Sequence, residues 1–278
     1  MAATAYETLY RDEWIAGYER DQYMLRSTVS TDAIISGRDA VFLIATSNRE
    51  AVTRGPNGLI PAAVDDLTQT TLTLAEWHDL PQKTRFNIFA GQSDQRAIMQ
   101  ETSRKVINRH IDDTIIDALA TGTIEANTTG TATTMGKGII NKATTMLWNG
   151  NVMADQLFGL LTPAAFAYLT DIPNFTSIDY VNDKVLVDPG KRRFHSWMGV
   201  TWMVHTGLPG IGTADASCFI YDKGAIGHAF ASGDVQALSG YNQEQDYSWA
   251  RTTAYDGALL LQNAGVIEIH HNDTALSA

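Results

Sequence analysis

The chain has 278 residues, 44% of them hydrophobic and 18% charged, which is typical of a folded globular protein and excludes a disordered chain. Its formal net charge of -11 argues against binding duplex nucleic acid through a broad basic face, because phosphate neutralisation needs clustered Lys and Arg. A single cysteine, Cys218, excludes an intrachain disulfide and favours a reducing compartment. The sequence shows neither a signal-peptide pattern nor an apolar run of about 18 residues, so we expect no membrane insertion.

The first region, residues 1–36, is predicted to be an arm rich in aromatic residues. Tyr10, Trp14 and Tyr18 are spaced so that a helix would place their three rings on one face. Such a face more often docks on a protein surface than binds a cofactor. We therefore expect these three residues to make contacts between subunits.

Residues 37–92 have the pattern of an oversized β-hairpin. One strand is predicted at 40–45 and a second at 67–89, and the clearest turn of the tip between them is the Gly-Pro-Asn-Gly sequence at 55–58. Two strands with a polar tip have little of their own to bury and are not stable alone. The hairpin therefore indicates a subunit that is completed by its neighbours, as in the shell of a particle.

A long helix is predicted directly after the hairpin, in the region 93–123. The segment 94–120 contains no Gly or Pro, and its apolar residues recur at helical spacing. These residues are Ile107, Ile111, Ile115, Ala118 and Leu119. At about 1.5 Å rise per residue the helix would be about 40 Å long. Ser93 or Asp94 is the predicted N-cap, and Gly122 is predicted to end the helix.

The rest of the chain mixes helices and strands without regular alternation. Helices are predicted at 139–148 and 162–169, the second with Thr162 as its N-cap and Pro163 in its first turn. The remaining predicted elements are strands at 184–187, 194–205 and 217–221, a long polar β segment at 234–247 and a last strand at 265–270. An α+β architecture is therefore favoured over a doubly wound parallel sheet.

The sequence predicts no catalytic, cofactor or metal site. The glycine-rich segment 130–138 has Gly138 where a phosphate loop needs a Ser or Thr for magnesium. The seven histidines do not occur at metal-site spacings such as His-Glu-x-x-His, and the rings of His270 and His271 would point to opposite faces of a strand. Cys218 lies in an apolar run and is predicted to be a buried, inert thiol. We therefore expect a protein that is not an enzyme and uses no cofactor.

The order of these elements resembles that of the major capsid proteins of tailed bacteriophages with the Hong Kong 97-like fold. An arm, an extended hairpin, a long helix, a mixed α/β part and a returning strand follow one another in both, over essentially the whole chain. Local segments add to the resemblance. They are the hairpin base at 37–43, the helix at 94–120, the short helix at 160–169, the segment 221–227, and the closing stretch 255–269, which is similar to a helix-like segment followed by a strand.

The resemblance implies a Hong Kong 97-like α+β fold with four parts. These are an N-terminal arm (1–36), an extended loop (37–92), a peripheral domain (93–123 and 234–278) and an axial domain (124–233). It also implies assembly through pentamers and hexamers into an icosahedral head shell, which encloses double-stranded DNA without sequence-specific binding. The protein would belong to the virion, after assembly in the cytoplasm of the host bacterium. Expected partners besides further copies are a portal, a cement protein as in some relatives, and a separate scaffolding protein, since only 36 residues precede the hairpin.

Contacts between subunits are also expected at the hairpin tip. Arg49 and Arg54 are the cations near this tip, and their guanidinium groups suit carboxylates on a neighbouring copy. Some members of the resembled family join the hairpin covalently to a neighbour through lysine and asparagine. Here the only lysine of the hairpin region is Lys83, near its base. We therefore expect particles that are held together by noncovalent contacts.

Two alternatives remain open from the sequence. An encapsulin shell of a bacterial nanocompartment has the same fold but encloses an enzyme instead of DNA, so the contents and size of the particles would distinguish it. A soluble oligomeric enzyme with an unrecognised site would have a deep polar pocket and would not form large closed particles.

Overall fold

The computed structural model describes most of the chain from Met24 onward. The described residues are 24–31, 33–45, 50–54, 56–58, 60, 67–90, 95–128, 130, 132–152, 156–176, 194–231 and 236–274. The helices are α1 (Arg85–Ala90), α2 (Gln95–Leu119), α3 (Lys137–Asn149), α4 (Pro163–Thr170) and α5 (Pro173–Thr176), and a 3-10 helix spans Leu25–Thr28. The strands are β1 (Ile34–Ser36), β2 (Asp39–Ala45), β3 (Leu67–Thr73), β4 (Ala75–Asp79), β5 (Gln82–Thr84), β6 (Leu157–Leu161), β7 (Phe194–Trp197), β8 (Val200–Val204), β9 (Ala216–Asp222), β10 (Ile226–Phe230), β11 (Gln236–Asn242), β12 (Tyr247–Leu260) and β13 (Val266–His271).

The predicted long helix is confirmed as α2. Its 25 residues span about 37 Å at about 1.5 Å per residue. The predicted apolar residues are all buried, and Met99 and Ile116 join them. The helix ends at Leu119, whose carbonyl accepts a hydrogen bond from the N–H of Gly122. The predicted N-caps, Ser93 and Asp94, lie outside the described residues.

The first sheet is built around the long strand β12. Strands β10 and β11 pair with one edge of β12 along different parts of its length, and β4 and β5 pair with its other edge, all antiparallel. Helix α2 packs on this sheet, and the Ser103 hydroxyl of the helix donates to the Thr252 hydroxyl of β12 at 2.9 Å. The predicted polar β segment at 234–247 therefore corresponds to β11 and the start of β12.

The helix-like segment expected at the start of 255–269 is wrong, because these residues continue β12 to Leu260. The middle of β12 is buried on both faces, which removes the alternation that marks a half-exposed strand. On one face Ala254 packs in the same cluster as the apolar residues of α2. On the other, the backbone of Gly257 lies against the side chain of Leu72 from the hairpin.

The second sheet has the strand order β13-β9-β6-β8-β7, in which only the β6–β8 pair is parallel. Residues of α3, α4 and α5 pack with this sheet in one apolar cluster, in which Leu147, Phe175 and Trp202 are fully buried. The closing strand β13 pairs with β9 and not with the first sheet. Residues 266–271 therefore belong to the sheet of the predicted axial part, whereas the sequence placed all of 234–278 in the peripheral part.

The hairpin is confirmed as a ribbon, but its second strand is shorter than predicted. Strand β2 pairs with β3 from Asp39 opposite Thr73 to Ala45 opposite Leu67, and β1 pairs with the other edge of β2. The predicted strand 67–89 ends at Thr73. Beyond the buried Leu74 the chain leaves the ribbon and continues as β4 and β5 along β12, followed by α1. Lys83 therefore lies in the first sheet and not in the hairpin.

Local patterns in the second half of the chain predicted α3 and α4 correctly, but not the short α5. Thr162 is the N-cap of α4, where its hydroxyl oxygen accepts the N–H of Ala165 at 3.1 Å, and Pro163 occupies the first turn. Cys218 is fully buried in β9, and this burial raises the pKa of its thiol to about 12, in agreement with the predicted inert thiol. Among the described residues, no helix is both long enough and apolar enough to cross a membrane.

Gly159 on β6 is predicted to tolerate no side chain. Its partner in the parallel pair is Trp202, and an added Cβ would lie 2.3 Å from the indole ring. Because Trp202 is fully buried and close-packed, Gly159→Ala should lower the free energy of unfolding by about 1–3 kcal/mol. Urea denaturation of the unassembled subunit measures this loss.

The matched control is Gly138→Ala in the first turn of α3, where an added Cβ would meet no atom within 4 Å. Alanine has the higher helix propensity, so this variant should be unchanged or more stable by up to about 1 kcal/mol. Equal destabilisation of the two variants would contradict the packing explanation.

Candidate assembly surfaces

The hairpin ribbon exposes apolar side chains over most of its length. Every described residue between Ala45 and Leu67 is exposed, and so are alternate residues of β2 and β3. Six large apolar residues of this region are between 42% and 73% exposed: Ile34, Ile35, Leu43, Val52, Ile60 and Leu67. Exposed apolar surface of this extent on a soluble protein marks a site of contact with another protein.

The base of the hairpin, in contrast, is fixed to the body of the molecule. Ala40 and Phe42 of β2 are buried in one cluster with Leu74 and with Ala229 of β10. The ring of Phe42 lies so close to Gly227 that a Cβ there would be 2.7 Å from it. The hairpin therefore leaves the first sheet from a rigid base and becomes exposed beyond it.

The described start of the chain is anchored by a buried carboxylate of α2. Asp112 is fully buried, and its two oxygens accept the backbone N–H groups of Met24 and Leu25, each at 3.1 Å. His205, which follows β8, lies with Nε2 at 3.2 Å from the same carboxylate. Because Nδ1 of His205 accepts the N–H of Gly207, Nε2 carries the proton and donates it to Asp112.

A second set of contacts holds the residues that follow. Thr28 donates its hydroxyl proton to the carbonyl of Leu25 at 2.7 Å, so it accepts from the Tyr221 hydroxyl at 2.6 Å. Burial raises the pKa of Tyr221 and keeps its proton in place for this bond. Ser30 then exchanges backbone hydrogen bonds with β10, at 3.0 Å to the Ile226 carbonyl and 2.9 Å from the His228 N–H. The residues 24–30 thus form a docked segment, which we call the arm anchor.

Of the site residues predicted from the sequence, the structure describes one. Arg54 lies in the hairpin tip and is exposed. Arg49, Tyr10, Trp14 and Tyr18 lie outside the described residues, so their intersubunit contacts stay predictions.

The sequence analysis missed a further group of exposed apolar residues at the end of the first sheet. The N–H of Arg85 donates to the carbonyl of Asp246 at 3.1 Å, so α1 lies beside the turn between β11 and β12. The exposed residues of this region are Leu80, Phe86, Leu238 and Tyr241. Their sequence pattern is compatible with a strand and a helix, but it does not indicate which face another element covers.

A family model described as phage capsid protein matches residues 2–273, which is nearly the whole chain. The chain belongs to the phage capsid protein family. It is a major capsid protein, which forms the head shell of a tailed phage and is a component of the virion. No curated protein sequence matches this capsid protein.

Solved structures show that the capsid protein has the Hong Kong 97-like fold. A structure from Mycobacterium phage Che8 matches with a TM-score of 0.72 and 14% identity, covering 97% of this chain and 98% of that chain. The capsid of a native GTA particle matches with a TM-score of 0.70 and 14% identity, covering 98% and 99%. A structure from Gordonia phage Cozz matches with a TM-score of 0.70 and 11% identity, covering 94% and 90%.

Asp112→Asn is expected to loosen the arm anchor of the capsid protein. The carboxamide has nearly the same volume but only one acceptor oxygen, so at least one of the N–H groups of Met24 and Leu25 loses its partner. A buried unsatisfied donor costs about 1–3 kcal/mol of unfolding free energy. Hydrogen exchange of the unassembled subunit should show faster exchange in the peptide that covers residues 24–30.

Asp117→Asn on the same helix is the matched control, because Asp117 is exposed. It should change the free energy of unfolding by no more than about 0.5 kcal/mol and leave the hydrogen exchange of residues 24–30 unchanged. An Asp112→Asn variant whose exchange in this peptide matches that of the control would contradict the anchoring role.

Proposed function

We propose that the capsid protein assembles by laying its hairpin across a neighbouring copy. The observation that carries this proposal is the ribbon of β2 and β3, which is rigid at its base and exposes Leu43, Val52, Ile60 and Leu67 beyond it. The capsid structures matched by this fold support self-association into a shell. Burial of these side chains against a second copy would supply the packing that the ribbon lacks within its own subunit.

In this proposal the molecule is divided as the resemblance implied. The extended loop is residues 37–92, the axial domain is 124–233, and the peripheral domain is 93–123 with 234–278, except that the closing strand β13 pairs in the axial sheet. Axial domains would meet around the five-fold and six-fold axes, in pentamers and hexamers of an icosahedral shell. The net charge of -11 suits an inner wall that encloses double-stranded DNA without adhering to it.

We further assign the predicted contact residues to interfaces between copies. Arg54 is an exposed cation in the hairpin tip, and Arg49 is near it in sequence, so both would pair with carboxylates of the neighbour. Tyr10, Trp14 and Tyr18 would dock the arm on an adjoining subunit. The arm anchor supports this, because it fixes Met24 and Leu25, which follow the arm residues in the chain, to the body.

The proposal also includes partner proteins and assigns no enzymatic activity to the chain. A scaffolding protein, a portal and a cement protein would act with this chain, and assembly would take place in the host cytoplasm. The role is structural and not enzymatic, which the family match supports. The same match favours a phage capsid over an encapsulin shell.

Deleting residues 48–59 tests the assembly role of the hairpin. The body of the molecule keeps its two sheets and α2, so the variant should remain folded and soluble but should form no closed shells. Negative-stain microscopy of the purified chain, expressed with and without its scaffolding protein, measures assembly, and circular dichroism measures folding. Shells of normal size and stability from the deleted chain would show that the loop is not needed for assembly.

Two further variants distinguish the role of the side chains of the hairpin tip from the role of its length. Replacing residues 48–59 by an equally long Gly/Ser segment keeps the reach of the tip and removes its side chains. The double variant R49E/R54E keeps the loop and reverses its charge, so it should lower the Tm of particles much more than that of monomers. Equal effects on particles and monomers would place these arginines outside the interface.

Mature particles are expected to be noncovalent. An isopeptide bond needs a lysine amine near a carboxamide of another subunit, and arginine side chains are too basic to replace it. Lys83 is partly buried in its own first sheet, where Nζ donates to Oε1 of Gln95 at 2.5 Å. Denaturing gels of particles should therefore show a single band near 30.4 kDa. A ladder of larger bands that Lys83→Arg abolished would contradict this expectation.

A further inference from the structure

A segment that follows α2 runs along the outer edge of the second sheet. Strand β13 is the last strand of the sheet, and residues 124–127 run along its open side. The N–H of Ala126 donates to the Glu268 carbonyl at 2.8 Å, and the N–H of Glu268 donates to the Ile124 carbonyl at 2.9 Å. Asn127 exchanges two hydrogen bonds with the backbone of His270, at 2.7 and 2.9 Å. The backbone therefore places Glu125 directly opposite Glu268.

This arrangement gathers two carboxylates around a buried imidazole. Glu268 and His270 are two residues apart on β13 and share one face of the sheet. Nε2 of His270 lies 3.8 Å from Oε2 of Glu125 and 4.0 Å from Oε1 of Glu268. The side chain of His270 is 6% exposed, that of Glu268 15% and that of Glu125 36%, so the cluster opens to solvent on the Glu125 side. Like charges placed opposite each other across strands repel unless a cation lies between them.

The second ring nitrogen of His270, Nδ1, also lies beside a carboxylate. Nδ1 of His270 lies 3.0 Å from Oδ1 of Asp215, and the second oxygen of Asp215 accepts the N–H of Gly130 at 3.1 Å. A carboxylate on one ring nitrogen is the usual arrangement behind a histidine that binds a metal through the other, because it fixes the tautomer and the ring orientation. Asp215 thus lies against Nδ1 on one side of the ring, and Nε2 faces Glu125 and Glu268 on the other.

The spacing of the three ligand atoms is compatible with a bound metal ion. A protonated Nε2 would draw a carboxylate to about 2.7–2.9 Å in a charge-assisted hydrogen bond. The observed 3.8 and 4.0 Å are too long for that bond. Two ligand atoms of one tetrahedral ion are about 3.4 Å apart, given metal–ligand distances near 2.1 Å. Small side-chain rotations would bring the three ligand atoms, which all lie within 4.8 Å of one another, to this spacing.

We propose that Glu125, Glu268 and His270 bind a first-row divalent transition-metal ion such as Zn²⁺, with Asp215 as the positioning residue behind the imidazole. The imidazole ligand favours such ions over Mg²⁺ and Ca²⁺, which prefer oxygen ligands alone. Three protein ligands leave a coordination position open toward solvent on the Glu125 side. The bound ion joins the segment after α2 to the edge strand of the second sheet and offsets the repulsion between the two glutamates.

The sequence analysis predicted no metal site because it searched for ligands at local spacings. Here Glu125 comes from the segment after α2, and the other two ligands come from the last strand. The predicted opposite orientation of His270 and His271 is confirmed, since His271 contacts Thr133, Met135 and Asp273 instead. Only the spacing of Glu268 and His270 on one strand face was available from the sequence.

Zinc binding by the full chain tests the proposal. The protein is treated with EDTA, freed of the chelator, and titrated with ZnCl2 by calorimetry, with the metal content confirmed by mass spectrometry. Wild type should bind one Zn²⁺ per chain and gain in Tm on addition of ZnCl2, and MgCl2 should not compete. Glu125→Gln and Glu268→Gln should each weaken the affinity at least tenfold, and Asp215→Asn by about tenfold to a hundredfold.

Controls keep the test decisive. His78→Gln removes a surface histidine that lies 3.0 Å from Glu76, so it measures nonspecific binding by a His–Glu pair and should leave the high-affinity site unchanged. Glu125→Gln is half-exposed and isosteric, and circular dichroism checks that it stays folded. Co²⁺ in place of Zn²⁺ should give visible absorption bands in wild type that Glu125→Gln loses. Zinc affinity that Glu125→Gln and Glu268→Gln leave unchanged would overturn the proposal, as would the absence of stoichiometric binding.

Discussion

Asp112 is the constraint on which the connection between the parts of this capsid protein depends. A carboxylate that is fully buried in the middle of a helix is costly unless donors surround it. Its donors come from the arm anchor and from His205, which follows β8, so Asp112 connects α2 to both. The anchor then continues to Ser30, whose backbone N–H and carbonyl each form a hydrogen bond with β10. The same strand supports the hairpin base through Gly227 and Phe42. The arm anchor and the hairpin base therefore share β10 as a common root.

A common root has a mechanical consequence for assembly. Beyond its base the described part of the hairpin tip is exposed, and the hairpin base and the arm anchor are both held on β10. Because each base is fixed by buried contacts, a pull on either segment is transmitted to β10 and through β12 to α2. A neighbouring subunit would thus act on the rigid body and not on a loose linker. This explains how a thin ribbon can serve as a structural connection in a shell.

The sequence predicted those features that depend on local chemistry. The periodicity of α2, the cap at Thr162 and the turn-rich hairpin follow from side-chain spacing and backbone preferences, and the structure agrees with each. The sequence did not predict features that depend on which strands pair with each other. Nothing in residues 74–84 indicates that they leave the ribbon for β12. The helix-like segment that the resemblance implied after residue 255 is the end of strand β12. The sequence also predicted no partner for the last strand, which pairs with β9 and whose Val266 and Ile267 pack in two different clusters.

The polar contacts could not be predicted from the sequence, because they join segments that are far apart in the chain. Asp112 and the cluster at His270 each draw on segments that are about 90 to 140 residues apart, and only the folded chain brings them together. The fold itself is matched at 14% identity in the structure from Mycobacterium phage Che8, so the fold can be retained while most side chains differ. Individual polar contacts are therefore not implied by the fold. Their roles follow from the geometry of this chain, and it is in this chain that the anchor and the metal cluster have to be measured.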